Sequence, residues 1–358
     1  MMSLITNIAL AFGAVLVLWA TVAPFFPSKK WWIRGWDFPR VQIAIVGLIL
    51  VPLIWFFSDW APELVVLLLA LALVYQGLRI LPFTPLWRKE VRMAEADEGT
   101  IRVVSANVEM VNEDHESFLK VAREEDPDIL FVMETDATWG RALDPVLAGY
   151  DTVLRELKDN YYGLVFATRL EVIRAEVVYL TPDDTPSVFA HLKDKAGREF
   201  RFIGLHPQPP VPGVDTDERD AETYYAALFA RKTSLPIVIM GDFNDSAWSD
   251  TSRTFQLIGE YLDPRVGRGM IASFDARSRF LRVPIDQMFM SQEIALSAYR
   301  RGPFVGSDHY PMIAEFSADA ERGKRLNRTP SHVKPGRREE IDTVYRRYRD
   351  KLGAVDYD

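Results

Sequence analysis

Residues 236–245 read PIVIMGDFND. Four consecutive apolar side chains, Ile237 to Met240, give a buried strand, and Gly241 releases the chain into a turn carrying Asp242 and Asn244 one residue apart. A carboxylate and a carboxamide are thereby fixed at the end of a rigid platform. Asp and Asn also favour such turns by bonding their own backbone, so this stretch alone divides evenly between a turn and a site. The balance is decided by what lies at the ends of the other strands.

The chain outward from this stretch is uneven. It has 358 residues, a net charge of -8, 48% hydrophobic residues and no cysteine, which excludes disulfides, thiolate zinc sites and a cysteine nucleophile. The first 28 residues carry no charged side chain. Three apolar runs, at Leu4 to Phe26, Val41 to Phe57 and Leu64 to Leu78, approach the ~20 residues that cross a bilayer. Between the first two, Lys29, Lys30, Arg34 and Arg40 alternate with Trp31, Trp32 and Trp36, a membrane–water interface composition. Basic residues in that loop and after the third run, against only Asp59 and Glu63 between the second and third, predict an outside N-terminus and a cytoplasmic remainder.

Residues 1–87 thus read as a membrane domain with three transmembrane helices and 88–100 as a linker. Residues 101–318 hold short β-rich runs with interspersed helices, including helices at His115 to Glu125 and Glu218 to Lys232, which predicts an α+β body with more than one sheet. Residues 319–358 form a polar, basic tail, in which Ile341, Val344, Tyr345, Tyr348 and Leu352 share one helical face. Such a face suits an anionic membrane surface, the parent domain or solvent.

Polar residues recur where the strands of 101–318 stop. Asn107 and Glu109 follow the first, Glu134 the second, His206 a third, Asp242 and Asn244 the central one, while Asp286 opens another and Asp308 and His309 precede the last. Together they describe a pocket at a common rim. Hard oxygen donors without cysteine favour magnesium, with manganese and calcium as alternatives. Glu134 is the best ligand candidate, and Glu109 and Asp308 are the candidates to complete the shell. His309 suits a base that activates water, oriented by Asp286, and His206 suits donation to a phosphoryl oxygen. Asn107 and Asn244 supply neutral phosphate donors, and Asp242 aligns the water or protonates the leaving oxygen. The sum is metal-assisted hydrolysis of a phosphoester.

The ordered segments SANV, ETD, GLHPQP, MGDFND, PIDQMFMS and GSDHYPM resemble the motifs of the endonuclease/exonuclease/phosphatase superfamily, which includes DNase-I-like nucleases, inositol-polyphosphate phosphatases and neutral sphingomyelinases. The resemblance implies a four-layer α/β/β/α sandwich, magnesium at Glu134, and phosphate-binding or acid/base positions at Asn107, His206, Asp242, Asn244, Asp286, Asp308 and His309. The overall plan is similar to a bacterial membrane-anchored branch, which implies a multi-pass protein of the inner membrane. Two positions depart from the pattern: Glu109, where some members carry Asp, and Gln287, where His or Tyr is common.

The expected substrate is a phosphoester, whether in nucleic acid, a lipid headgroup or a small phosphodiester, and the bilayer is the other expected partner. An acidic chain whose basic charge gathers in the juxtamembrane segment and tail tilts against a nuclease. The alternative is a catalytically silent membrane scaffold, which has no reason to keep Glu134, Asp242, Asn244, Asp308 and His309 together.

Overall fold

The computed structural model of the chain describes residues 4–180, 185–230 and 234–333, together with residues 339 and 343. Helices come first: α1 (Leu4–Val22), α2 (Trp31–Arg34), α3 (Arg40–Phe57) and α4 (Pro62–Ile80). With its short helical extensions, this region holds three helices long and apolar enough to cross a membrane, Leu4–Phe25, Arg40–Phe57 and Pro62–Phe83. They pack on one another through Ala14, Val17, Ile43, Ile54 and Leu69, and most of their remaining large apolar side chains are exposed. Buried polar groups knit one end together. Gln76 donates to Thr21 Oγ1 at 3.0 Å and accepts from Arg40 at 3.0 Å, while Arg40 also pairs with Asp37.

The body follows as β1 (Ile101–Asn107), α5 (His115–Glu125), β2 (Ile129–Met133), α6 (Ala137–Leu147), β3 (Thr152–Glu156), β4 (Leu164–Thr168), β5 (Val172–Tyr179), β6 (Pro186–Lys193), β7 (Glu199–Leu205), α7 (Asp217–Ala230), β8 (Ile237–Asp242), α8 (Asp250–Gly259), β9 (Asp286–Met290), β10 (Ala295–Arg301), β11 (Met312–Ser317) and α9 (Ala320–Leu326). One sheet runs β10-β11-β1-β2-β4-β3 and the other β5-β6-β7-β8-β9. Each is mixed, with a single parallel pair, β1 with β2 and β7 with β8.

Alternation along the strands explains the layering. Val103, Ile129, Phe131 and Phe166 of one sheet meet Val188, Phe202, Val238 and Met240 of the other in a shared core. Phe131 and Phe202 cross edge to face at 6.2 Å. Space for Phe131 exists because residue 204 is glycine, where a Cβ would lie 2.7 Å from the ring. The opposite strand faces carry Val104, Leu130 and Val165 against Phe118, Trp139 and Leu143 of α5 and α6. On the second sheet Ile203, Ile237 and Ile239 meet Ala227, Phe255 and Ile258 of α7 and α8. The result is the four-layer α/β/β/α sandwich expected from the sequence, preceded by three apolar helices.

Local chemistry sets the helix ends. Asp114 accepts from Ser117 N at 3.2 Å to start α5, and Asp126, left-handed at φ 44°, ends it before Pro127. Five elements lack a clear signal in the sequence: α6, α8, β3, β5 and β10. The tail is less uniform than its composition suggests. Its first part forms α9, which Asn327 ties to the body by donating to Gln292 O and Ile294 O at 3.0 and 2.7 Å. The amphipathic face at Ile341, Val344, Tyr345, Tyr348 and Leu352 lies outside the described residues, as does the predicted extension of α7 to Lys232.

Residues 29–42 lie against the body. Lys29 Nζ is 2.6 Å from Asp220 Oδ2, Thr216 N donates to Lys29 O at 2.8 Å, and Trp248 Nε1 donates to Asp37 O at 2.6 Å. From α4, Arg79 reaches Asp250 at 3.1 Å. The basic loop between the first two long helices and the folded body therefore share one side of the helical bundle.

Candidate active site

Strand register builds the site. In the parallel pair β1 and β2, Asn107 stands opposite Met133, so Asn107 and the residue just after β2, Glu134, leave the first sheet together. In the parallel pair β7 and β8, Leu205 stands opposite Gly241, which delivers His206 and Asp242 side by side. Antiparallel β9 sets Asp286 directly opposite Asp242. Antiparallel β11 pairs Met312 with Ser105, and so returns Asp308 and His309 to the rim beside Asn107.

Three of these strand ends adopt unusual backbone. Gly241 has φ +149°, and a Cβ there would lie 1.9 Å from Leu205 O, so only glycine lets β8 turn this closely against β7. Glu109, Glu134 and Asn244 are non-glycine residues at φ +57°, +62° and +48°. Such conformations persist where the surroundings over-determine them, and they gather at functional sites.

Asn107 is the hub. Its amide donates to Glu134 Oε1 at 2.8 Å and to Asp242 Oδ2 at 3.1 Å, and its Oδ1 accepts from Glu109 N at 3.0 Å. Glu134 Oε2 also accepts from Met110 N at 3.3 Å. His206 Nε2 lies 4.0 Å from Glu134 Oε1 and 3.9 Å from Asp242 Oδ2. His309 Nδ1 meets Asp286 Oδ2 at 2.7 Å, and its Nε2 faces Asp242 Oδ2 at 3.5 Å and Asp308 Oδ1 at 3.8 Å. Asn244 is held just outside, its backbone N donating to Asp242 Oδ1 at 2.8 Å and its side chain to Pro207 O at 2.9 Å. The nine sequence-selected residues thus occupy one rim, with Glu109 at its margin: its carboxylate is clamped by Arg277 and accepts from Asp308 N at 3.2 Å.

The electrostatics are uneven. Burial pushes the Glu134 carboxyl up to about 7, and burial pushes the His206 imidazole down to about 4. Burial also opposes charge on His309, but the neighbouring Asp286 and Asp242 outweigh it and raise its pKa to about 10. Asp308 is raised by burial too.

Four side chains escaped the sequence reading. Ser307 donates to Asn107 O at 2.8 Å and accepts from His309 N at 3.0 Å, bridging two motifs. Arg277 orders Glu109. Tyr162 and Phe274 place their rings 5.7 Å from His206 and 5.0 Å from His309. Ser307 sat inside the quoted GSDHYPM segment, whereas Arg277, Tyr162 and Phe274 lie on loops with no motif around them.

The donor set suits a divalent cation. Glu134, Asp242, Asp286 and Asp308 converge with His309 as their one cationic neighbour among the nine, and Asp242, Asp286 and His309 offer ligand atoms within 4.8 Å of one another. Asp286 Oδ1 is buried without a hydrogen-bond partner, and Glu134 is held at a proton affinity that a bound cation would relieve.

A sandwich of two mixed sheets with carboxylates, amides and two histidines at a common strand-end rim defines a phosphoesterase class. The chain belongs to the Endonuclease/Exonuclease/phosphatase family, whose model matches residues 104–309. Members of that family are hydrolases of phosphoester bonds, commonly dependent on a divalent metal. Among solved structures, a humanized D. rerio TDP2 is 13% identical, with a TM-score of 0.52 over 61% of this chain and 99% of that one. The endonuclease/exonuclease/phosphatase from Bacteroides vulgatus is 17% identical, with a TM-score of 0.50 over 61% of this chain and 98% of that one. D. rerio TDP2 complexed with a single-strand DNA product is 13% identical, with a TM-score of 0.50 and the same 61% and 99% coverage. These identities speak to fold alone. No curated protein sequence matches the chain.

Proposed function

We propose that the protein is a membrane-anchored, divalent-metal-dependent phosphoester hydrolase. The observation that carries this reading is the His309 Nδ1 to Asp286 Oδ2 contact at 2.7 Å, with Nε2 turned toward Asp242 and the Glu134–Asn107 pair. An imidazole so held has one nitrogen fixed by a carboxylate and the other facing the place where water and phosphate would meet.

The cation belongs at Glu134, with Asp308 and Glu109 nearby, rather than within the Asp242, Asp286 and His309 group. The Asp286 hydrogen bond commits His309 Nδ1, and a ligating His309 would leave no base. When bound, magnesium, manganese or calcium supplies positive charge, which offsets the phosphate and the carboxylates and lowers the proton affinity of His309.

The residues then divide the work. His309 Nε2 takes a proton from water, whose oxygen bonds to phosphorus as the phosphorus–oxygen bond to the leaving alcohol breaks. The leaving oxygen receives a proton through Asp242. A diester and water thereby give a monoester and an alcohol. His206, kept neutral by burial, donates from its ring to a phosphoryl oxygen; Asn244, with one amide hydrogen on Pro207 O, gives a further donor, while Asn107 spends both of its hydrogens positioning Glu134 and Asp242.

Three long apolar helices, and a basic loop on the same side as the body, support residues 1–87 as a three-span anchor of a bacterial plasma membrane. Residues 101–318 form the catalytic part, 88–100 the linker and 319–358 the tail, with the body in the cytoplasm. The catalytically silent scaffold fits less well, because a binding body gains nothing from two buried histidines among four carboxylates. Purified full-length protein in detergent should release alcohol from a phosphodiester with magnesium, and Glu134→Gln and His309→Gln should each abolish it. Turnover indifferent to both substitutions sinks the reading.

A further inference from the structure

A cavity of about 610 Å³ opens beside this rim. Asn244 and His309 of the rim are among the residues that line it. Trp31, Trp36 and Phe38 form one wall, and Pro210 and Val211 form another. The first wall comes from the loop between the first two spans, which lies outside the family-matched residues 104–309. A catalytic centre of the family fold is here completed by a juxtamembrane segment of the same chain.

The loop is fixed in place. Besides the Lys29 and Asp37 contacts, Trp31 N donates to Asp215 Oδ1 at 3.2 Å, and Asp215 and Thr216 follow directly on the proline-rich segment that makes the other wall. Both walls are therefore joined to each other and to the body. Trp32, also lining the cavity, stacks on Trp19 of α1 at 6.4 Å and 11°. The cavity thus runs from the catalytic histidine to the foot of a membrane-spanning helix, where amphipathic rings meet headgroups.

Its chemistry excludes a polyanion. Among the described residues lining it there is no Lys, Arg, Asp or Glu, whereas a nucleic-acid strand running away from the scissile phosphate needs cations along its path. An apolar cleft of this size fits an apolar ligand with a few polar groups at one end. We infer that this cavity is the subsite for the hydrocarbon chain of a bilayer phosphoester lipid, whose phosphate reaches the rim at His309 and Asn244. The assignment rests on the hydrolase reading and adds its substrate class.

The test is a series of p-nitrophenyl alkyl phosphodiesters, from methyl to octyl, assayed with magnesium and the full-length protein in nonionic micelles. Water attacks phosphorus, p-nitrophenolate leaves, and the alkyl phosphate is the second product. Two variants close the cavity in different ways. Gly35 lines it with φ -56°, and a Cβ there meets nothing within 4 Å, so Gly35→Phe fills it without backbone strain. Val211 is 41% exposed, so Val211→Asp makes the wall polar at little cost to folding.

For the unaltered protein, kcat/KM should rise roughly tenfold or more from methyl to octyl, a modest share of what full burial of the chain provides. In both variants the gain should fall below about threefold while methyl-diester turnover stays within about twofold. A flat series in the unaltered protein overturns the inference, and so does a gain undiminished in the variants. Loss of methyl-diester turnover in both variants makes the loop a prop for the catalytic centre and overturns it too.

If no member of the series is cleaved, the hydrolase reading fails, and calorimetric binding of hexadecylphosphocholine in the same micelles decides the cavity by itself. Binding weakened about fivefold or more by Gly35→Phe supports the subsite. Equal binding overturns it.

Discussion

His309 and Asp286 stand 2.7 Å apart, Nδ1 to Oδ2, although His309 precedes β11 of one sheet and Asp286 opens β9 of the other. The bond crosses the mouth between the two layers, so the sheets must be correctly packed before the imidazole is oriented. Asp286→Asn should lower kcat by roughly 10²–10⁴-fold, the usual worth of a positioned acid/base group, with an unchanged circular dichroism spectrum. An unaltered kcat would remove His309 from the chemistry.

Glu134 bears on the cation. Magnesium or manganese near saturation should stabilise the unaltered protein, by about 2–3 kcal/mol at roughly a hundredfold excess over Kd, and raise its Tm. Glu134→Gln should show little of this gain, since a neutral amide replaces the best-placed carboxylate. Thermal melts with and without the ion read the effect without any substrate. A gain equal in both proteins would place the ion elsewhere.

Gly241 tests the backbone argument. Its φ is +149°, and an added methyl would lie 1.9 Å from Leu205 O. Gly241→Ala should therefore destabilise by roughly 1–3 kcal/mol or more from conformation alone, and should displace Asp242 and Asn244. Denaturant unfolding together with turnover would report both losses. A stable, active Gly241→Ala protein would show that β8 has room to relax.

Outside the rim, Glu90 gives a pH signature. Its carboxyl accepts from Gln256 Nε2 and Asp263 N at 2.8 and 3.0 Å, and burial, with repulsion from Asp263, holds it up at about 7 against an ordinary 4.5. A raised carboxyl pKa means that the folded state holds the proton more tightly than the unfolded state. That contribution is fully present below about 4.5 and is lost as pH climbs through about 7. Glu90→Gln should therefore gain stability over the unaltered protein at pH 8 and lose the advantage near pH 4.5. Urea midpoints at the two pH values measure it, and an advantage that does not change with pH contradicts it.

Much of this was legible in the residues. Ile237 to Met240 announced a buried strand because four apolar side chains before a glycine have few other uses, and the polar residues at the strand ends named the rim. The three long apolar helices followed from the length of their uncharged runs alone. What stayed hidden depends on partners far away in sequence. β5, with Ile173, Arg174 and Glu176 facing solvent, carries too little apolar pattern to signal a strand, and α6 has Pro145 within it. Arg277, which clamps the Glu109 carboxylate, lies 168 residues on, and nothing near Glu109 in the chain reveals it. The tryptophans of the first loop read as an interface belt, and only the packing of that loop on the body turns some of them into a cavity wall beside His309.

The most direct measurement is hydrolysis of bis-p-nitrophenyl phosphate by the full-length protein in detergent, with magnesium and then with excess EDTA. Turnover is expected with the ion, none with the chelator, recovery when magnesium is restored, and none at all from His309→Gln. Turnover that persists in EDTA, or that survives loss of the imidazole, would contradict a metal-assisted, histidine-dependent hydrolase.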